Sequence, residues 1–308
     1  MSELRHLSRR ELLRLAAATA AAGLIKPAFG AAPAQLMRPI PKSGELLPAI
    51  GLGTSRTFNV GEAANERIAQ REVLQLFAAQ GGRLVDSSPM YGEAESVVGD
   101  LATDLGLTRN LFLATKVWTA GREAGMRQME ESFQRLRTQK IDLMQVHNLL
   151  DWKIHLKTLR DWKAQGRIRY LGITHYTESA YDDLARVMES EDIDFVQLNY
   201  SILSRSAEQR LLPLALDKKI AVLVNRPFER SGLFDQVRAK TLPPWAKDID
   251  CTSWAQFFLK FILSHPAVTC AIPATSKPKH LLDNMQAGLG RLPDMAMRER
   301  MAQLVREF

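Results

Sequence analysis

The stretch LVDSSPMYGEAESVVG, residues 84–99, combines a short apolar run, a turn and the first residues of a helical pattern. Asp86 ends the apolar run, and Tyr91 follows five residues later, beyond a turn that contains Pro89. By itself this spacing means little, because Asp and Tyr fall five residues apart by chance in many proteins. Its meaning depends on the polar residues that the other predicted strands bring to the same place, above all Lys116, whose charge at the end of a buried strand needs a partner.

Short apolar runs alternate with longer segments of helical periodicity from Leu47 onward, which is typical of repeated βα units in one domain. Eight strands are predicted, at 50–53, 83–85, 111–115, 142–146, 170–173, 195–198, 221–224 and 268–272. Eight helices are predicted at 68–79, 93–105, 125–137, 153–165, 178–189, 207–218, 253–264 and 279–287. Eight such units favour an α/β fold of the (β/α)8 TIM-barrel type. A doubly wound Rossmann sheet is disfavoured because the turn after the first strand lacks the G-x-G-x-x-G pattern.

The first 34 residues differ in composition from the rest of the chain. Ser8, Arg9 and Arg10 precede Glu-Leu-Leu and a mildly apolar, Ala-rich segment, which resembles a twin-arginine (Tat) export signal. The alternative is an Ala-rich amphipathic helix that packs on the domain. We expect residues 1–34 to be a signal peptide recognised by the Tat export machinery. The barrel domain would then span 35–308 and be periplasmic or otherwise exported.

Composition limits the classes of function. The chain has 308 residues, 46% hydrophobic and 24% charged, as in a soluble globular protein. Of its formal net charge of +7 the leader carries +3, and the rest has no basic block typical of nucleic-acid binding. Beyond the leader no apolar run is long enough for stable membrane insertion. Cys251 and Cys270 lack a zinc-binding spacing, so we predict no metal site, and either two buried thiols or one disulfide.

Polar residues end three consecutive predicted strands, at Asp86, Lys116 and His147, with Tyr91 in the loop after the first of them. In a barrel these strand ends meet at the rim that carries the active site. We expect Asp86 to pair with Lys116, and the ammonium to lower the pKa of Tyr91 from its usual value near 10. Tyr91 would then act as general acid towards a carbonyl oxygen, and His147 would donate a second hydrogen bond to it. None of these residues is a nucleophile or binds a metal that could attack the carbonyl carbon. The electron pair is therefore expected to come from a reduced nicotinamide, as hydride.

Seven motifs occur in the order typical of the aldo-keto reductase superfamily, which the chain resembles from about Leu47 to the last helix: IGLGTS, VDSSPMYGEAESVVG, LATKVW, IDLMQVHNL, GRIRYLGITHY, DFVQLNY and IPATSKPKHLLDN. The resemblance implies the tetrad Asp86, Tyr91, Lys116 and His147, with Tyr91 as proton donor. It also implies reduction of an aldehyde or ketone, with NADP(H) favoured as cofactor and NAD(H) as the alternative.

By the same resemblance, a further set of residues is expected to bind the cofactor: Thr54, Thr174, His175, Gln197, Arg226, Thr275, Ser276, Lys277, His280, Asp283 and Asn284. Trp118, Asn148 and Phe228 are expected to line the substrate pocket.

The chain departs from the family pattern at several cofactor positions. Asn225 stands where many relatives have an aromatic ring that stacks on the nicotinamide. Ala274 and His280 stand where many relatives have the Lys and Arg that bind the 2′-phosphate, although Lys277 and Lys279 are nearby.

Two other functions fit the same residues. One is a nucleotide-binding sensor or partner subunit without turnover, on the same scaffold. The other is a lyase or isomerase that forms a Schiff base at Lys116, which an ion pair with Asp86 would disfavour because it keeps the amine protonated. The mainly apolar loop 228–251 is expected to border the pocket and to favour a hydrophobic carbonyl substrate.

Overall fold

The computed structural model describes residues Gln35–Phe308, so the predicted leader at 1–34 lies outside the described residues. Two sheets are present, an antiparallel hairpin and an eight-stranded parallel sheet. The strands are β1 (Met37–Pro39), β2 (Leu46–Pro48), β3 (Leu52–Gly53), β4 (Leu84–Asp86), β5 (Phe112–Val117), β6 (Ile141–His147), β7 (Ile168–His175), β8 (Phe195–Asn199), β9 (Ala221–Asn225) and β10 (Val268–Ala271). The helices are α1 (Ile68–Ala79), α2 (Ala94–Asp104), α3 (Arg122–Arg135), α4 (Trp152–Ala164), α5 (Tyr181–Ser190), α6 (Leu211–Asp217), α7 (Gly232–Gln236), α8 (Trp254–Leu263), α9 (Pro278–Gln286) and α10 (Met295–Arg306).

The eight-stranded sheet closes on itself. Strands β3 to β10 neighbour one another in chain order, and all their pairings are parallel. The two edges then meet, because the Ala271 amide donates to the Ala49 carbonyl at 2.9 Å and the Gly51 amide donates to the Ala271 carbonyl at 2.8 Å. At this seam a Cβ on Gly53 would lie 2.7 Å from the Ile272 carbonyl oxygen, so the close approach requires glycine. The predicted (β/α)8 barrel is confirmed.

Alternate strand residues face the barrel interior, as the two-residue period of a strand requires. The interior holds one apolar cluster, which includes Leu84, Phe112, Leu143 and Phe195. The strand residues between them, such as Val85, belong to a second apolar cluster, which lies between the strands and the surrounding helices. The parity of a strand residue therefore decides whether its side chain can reach the mouth of the barrel.

The β1–β2 hairpin closes the opposite end of the barrel and was not predicted from the sequence. Ile40 and Leu47 of this hairpin are fully buried and belong to the interior cluster. The Tyr170 hydroxyl donates to Glu45 Oε2 at 2.7 Å, which ties the hairpin to β7. The interior is thus sealed at this end, and the opening lies at the carboxyl ends of the strands.

Helix α8 is buried along almost its whole length. Two aromatic residues of the segment between β9 and α8 supply part of the cover, since the centroid of the Phe234 ring, on α7, lies 6.0 Å from that of Phe258 and the centroid of the Trp245 ring lies 5.6 Å from that of Phe257. That the loop 228–251 also borders the substrate pocket, and favours a hydrophobic substrate, stays a prediction.

Most predicted helices are present with shifted ends. The segment predicted as one helix at 207–218 is a 3-10 turn at Ser206–Glu208 followed by α6, whose third residue is Pro213. Proline lacks an amide proton and is tolerated only in the first turn of a helix, which explains the late start. Helices α7 and α10 were not predicted. Within Gln35–Phe308 no helix is long and apolar enough to cross a membrane, and both cysteines are buried free thiols.

Candidate active site

The ends of the central strands bring one layer of polar side chains to the mouth of the barrel. Lys116 has the same strand parity as Phe112 of the interior cluster, and His147 has the same parity as Leu143. Both side chains therefore point inward. By the same rule the layer is completed by Thr174, Asn199 and Asn225.

A buried ion pair joins two neighbouring strands of the barrel. Lys116 Nζ lies 2.7 Å from Asp86 Oδ2, and the two residues are 0% and 2% exposed. The ammonium also donates to the Ser87 carbonyl oxygen at 2.7 Å. Burial lowers the pKa of Lys116, but the charge of Asp86 and the hydrogen bond to it outweigh that effect, so the pKa lies above its ordinary value. The predicted pairing is confirmed, and an amine that stays protonated is a poor Schiff-base nucleophile.

Two glutamine side chains hold the other oxygen of the same carboxylate. Asp86 Oδ1 accepts hydrogen bonds from Gln197 Nε2 at 2.8 Å and from Gln145 Nε2 at 3.2 Å. Gln197 Oε1 in turn accepts from the Thr174 hydroxyl at 3.3 Å. Of the residues predicted to hold the cofactor, Gln197 is therefore bonded directly to the ion pair and Thr174 is connected to it through Gln197.

Tyr91 lies next to this pair, with its ring centroid 5.1 Å from Lys116 Nζ. The expected lowering of its pKa is wrong. Burial raises the pKa of Tyr91 above the ordinary value of 10.0, and the charge and hydrogen bond of Lys116 offset only part of that effect. The phenol is therefore fully protonated at neutral pH and has a proton to donate.

His147 completes the group and is neutral. Its ring meets the Tyr91 ring edge-on at 6.2 Å between centroids, and the Trp118 ring lies at the same distance in a tilted arrangement. Burial, with smaller contributions from Lys116 and His175, lowers the pKa of His147 to about 3. The imidazole is therefore a hydrogen-bonding group and not a proton source at neutral pH.

Three other predicted cofactor residues lie around the same rim. Thr54 Oγ1 lies 3.0 Å from the Asp86 carbonyl oxygen and 3.0 Å from Ser87 Oγ, so it supports the turn after β4. His175 Nδ1 accepts from the Thr177 amide at 3.2 Å. The Arg226 guanidinium carbon lies 3.9 Å from the centroid of the Tyr176 ring.

The remaining predicted cofactor residues form a separate group at the start of α9. Thr275 Oγ1 accepts from the Lys277 amide at 3.0 Å, and Asp283 Oδ1 accepts from Gln256 Nε2 at 2.6 Å. Burial and the nearby charges of Lys277 and Lys279 lower the pKa of His280. The other members of the group are Ser276 and the buried Asn284. Basic side chains at a helix N-terminus form a suitable environment for a phosphate group.

The three predicted pocket residues have different environments. Trp118 is 38% exposed and borders His147. Asn148 follows His147 directly, and its Oδ1 is buried without a hydrogen-bond partner among residues 35–308. Phe228 is buried, with its ring 4.9 Å from Phe234. The structure thus brings Trp118 and Asn148 to the mouth, whereas Phe228 packs into the core.

Three polar residues of the site, Ser88, Gln145 and Asn199, were not predicted from the sequence. Strand parity was a signal that could have found two of them, because Gln145 precedes His147 by two residues and Asn199 follows Gln197 by two. Ser88 lies in the turn after β4, and its Oγ is 3.3 Å from His147 Nδ1. Its role depends on a contact between distant segments, which the local sequence does not reveal.

The low pKa of His147 predicts a loss of stability in acid. In the unfolded chain His147 has its ordinary pKa of 6.5 and binds a proton below that pH, whereas in the folded protein it stays unprotonated down to about pH 3. The free energy of unfolding should therefore fall as the pH falls through this window, by about 1.4 kcal/mol per pH unit from this group. In His147→Gln that part of the dependence should be absent between pH 6 and pH 4, as measured by urea unfolding. Equal slopes in the two proteins would contradict the neutral, buried state of His147.

Comparison with known proteins agrees with this geometry. The model of the Aldo/keto reductase family matches residues 49–303. Methylglyoxal reductase YeaE of Escherichia coli (strain K12) is 29% identical over 250 residues, which cover 79% of this chain and 86% of that protein. The NADH-specific methylglyoxal reductase of the same organism is 28% identical over 199 residues, covering 54% of this chain and 59% of that protein. The crystal structure of an aldo-keto reductase from Klebsiella pneumoniae in complex with NADPH has a TM-score of 0.70 at 27% identity, covering 89% of this chain and 95% of that chain. Because the family match extends over nearly the whole barrel, the chain belongs to the aldo/keto reductase family of oxidoreductases.

Proposed function

We propose that the protein is an NADP(H)-dependent oxidoreductase that reduces the carbonyl group of an aldehyde or ketone to an alcohol, with Tyr91 as general acid. The observation that carries this proposal is the arrangement at the mouth of the barrel. A protonated phenol and a neutral imidazole lie beside the buried ammonium of Lys116, which Asp86 holds in place. The reductase relatives and the NADPH-bound structural neighbour support the same activity.

The residues at the mouth fit a nicotinamide cofactor. The Oδ1 atoms of Asn199 and Asn225 are buried and have no hydrogen-bond partner within the described part of the chain. They are free to accept from a donor such as a carboxamide N–H. Thr174 and Gln197 lie in the same region of the barrel. When bound there, the reduced nicotinamide supplies the hydride.

The basic group at the start of α9 favours NADP(H). Lys277 and Lys279 are exposed and lie close enough to lower the pKa of His280, so an added phosphate would have two cationic partners there. NAD(H) is the alternative cofactor, because Ala274 and His280 replace the usual phosphate-binding side chains and one relative is NADH-specific.

The side chains at the mouth polarise the carbonyl group and supply the proton. Tyr91 and His147 each donate a hydrogen bond to the carbonyl oxygen, which polarises the carbonyl and stabilises the negative charge that grows on oxygen during the reaction. Tyr91 transfers its proton to that oxygen, giving the alcohol. The ammonium of Lys116 stabilises the phenolate that is left, and Asp86 keeps the ammonium oriented.

The variant Tyr91→Phe should lose about 10²- to 10⁴-fold in kcat/KM, because the carbonyl oxygen loses its proton donor. Turnover is followed by NADPH absorbance with a panel of aldehydes and ketones, and NADPH affinity by fluorescence titration, which should not change. Tyr170→Phe is the matched control, since that hydroxyl contacts Glu45 at the closed end of the barrel. A wild-type protein that binds NADPH but turns over none of the panel would support the sensor or partner-subunit alternative.

We infer further that residues 1–34 direct export through the twin-arginine pathway and that the domain 35–308 functions in the periplasm or otherwise outside the cytoplasm. The support is the sequence Ser8-Arg9-Arg10 followed by a mildly apolar segment. This route carries folded proteins, so the barrel would take up its nucleotide before translocation and carry it along.

Replacing both arginines, Arg9→Lys with Arg10→Lys, should leave the full chain in the cytoplasm, because the export machinery recognises the arginine pair itself. The control carries Arg5→Lys with Arg14→Lys, the same charge-conserving substitution outside the pair, and should be exported normally. Cell fractionation measures how much of each variant is exported, and nucleotide analysis of the exported protein shows whether it carries bound cofactor. Export of the Arg9 and Arg10 variant at the wild-type level, or exported protein unable to bind nucleotide, would contradict the inference.

A further inference from the structure

We propose that Ser88 is a positioning residue that fixes the tautomer of His147, so that Nδ1 accepts a hydrogen bond and Nε2 carries the proton offered to the substrate. The catalytic consequence rests on the proposed reductase function. The tautomer itself does not, and it can be measured on the protein without substrate.

The hydroxyl group of Ser88 is fully enclosed and has two partners. The residue is 0% exposed. Its Oγ accepts from the Met90 amide at 3.2 Å and lies 3.3 Å from His147 Nδ1. A backbone amide can only donate, so the first contact uses a lone pair of the serine oxygen and leaves the hydroxyl proton unassigned.

The proton of Ser88 must go to His147. Among residues 35–308 no other side-chain or backbone acceptor is hydrogen-bonded to Ser88 Oγ. A buried hydroxyl proton without an acceptor is unfavourable, and buried polar groups are almost always paired. Donation to Nδ1 satisfies both the hydroxyl and the ring nitrogen.

This assignment determines what His147 offers to a ligand. A neutral imidazole has one N–H group, so when Nδ1 accepts, the proton lies on Nε2. Nε2 makes no hydrogen bond to the part of the chain that the structure describes. The opposite tautomer would present a lone pair to the carbonyl oxygen and repel it. Ser88 thus decides whether the ring attracts or repels a carbonyl oxygen.

The position of Ser88 connects this role with the acid. It lies two residues after Asp86, and its carbonyl accepts from the Tyr91 amide at 3.0 Å. One short turn therefore supplies the partner of Lys116, the group that orients His147 and the proton donor. Because Ser88 also shapes this turn, a loss of activity alone would not distinguish the two roles, and the test needs a direct observation of the ring.

The direct test is nitrogen NMR of the histidine rings in the ¹⁵N-labelled wild-type protein at pH 7, with the signals of His147 identified by their absence in His147→Gln. The expected result is a protonated Nε2 and an unprotonated Nδ1. A proton on Nδ1 would overturn the proposal, whatever the activity of the protein.

Variants of Ser88 test the causal link. Ser88→Ala should give a mixture of tautomers and lower kcat/KM about 5- to 30-fold, the range expected for losing one oriented hydrogen bond, with unchanged NADPH affinity. Ser88→Cys keeps a weak donor of similar size and should give intermediate values. Ser132→Ala, which removes another buried hydroxyl on α3, is the control and should leave both readouts unchanged.

The outcomes separate the two proposals. Ser88→Ala with reduced activity but the wild-type tautomer would show that Ser88 acts only through the turn, and would overturn the proposal. A wild-type protein with the expected tautomer but no turnover would refute the reductase function and leave the tautomer assignment standing.

Discussion

The buried ion pair between Lys116 and Asp86 is the interaction on which the site depends. Two opposite charges removed from water are tolerated only when they meet at good geometry and their other hydrogen-bonding positions are filled. Here the pairing of β4 with β5 brings the strand ends together, and Gln145 and Gln197 complete the coordination of the carboxylate. Loss of one partner from such a pair typically costs about 3–5 kcal/mol, so the closed barrel and the site are mutually dependent.

Burial gives the neighbours of this pair their protonation states. Tyr91 and His147 share a partly enclosed space with a permanent positive charge, and both are held in the neutral form. The phenol keeps its proton until a substrate oxygen becomes basic enough to take it. The imidazole accepts no proton of its own, so its one N–H group remains a donor whose direction the surrounding hydrogen bonds can set.

Much of the fold was predictable because βα units carry strong local signals, and the positions of Asp86, Lys116 and His147 followed from where their strands stop. The shift in the pKa of Tyr91 was predicted in the wrong direction, because a sequence indicates which charges are near but not how far burial excludes water. The β1–β2 hairpin was missed because its apolar residues, Ile40 and Leu47, are too few for a pattern and make sense only inside a closed barrel. The contact of Ser88 with His147 joins residues 59 apart, and only the folded chain reveals it.

The most direct measurement of the central claim is the titration of Tyr91, followed by NMR of ¹³C-labelled tyrosine in the wild-type protein and in Lys116→Met, with the signal assigned through Tyr91→Phe. We expect a phenol that is still mainly protonated at pH 10 in the wild type and a pKa that rises further when the ammonium is removed. A phenolate at neutral pH, or a pKa that does not respond to the loss of Lys116, would contradict it.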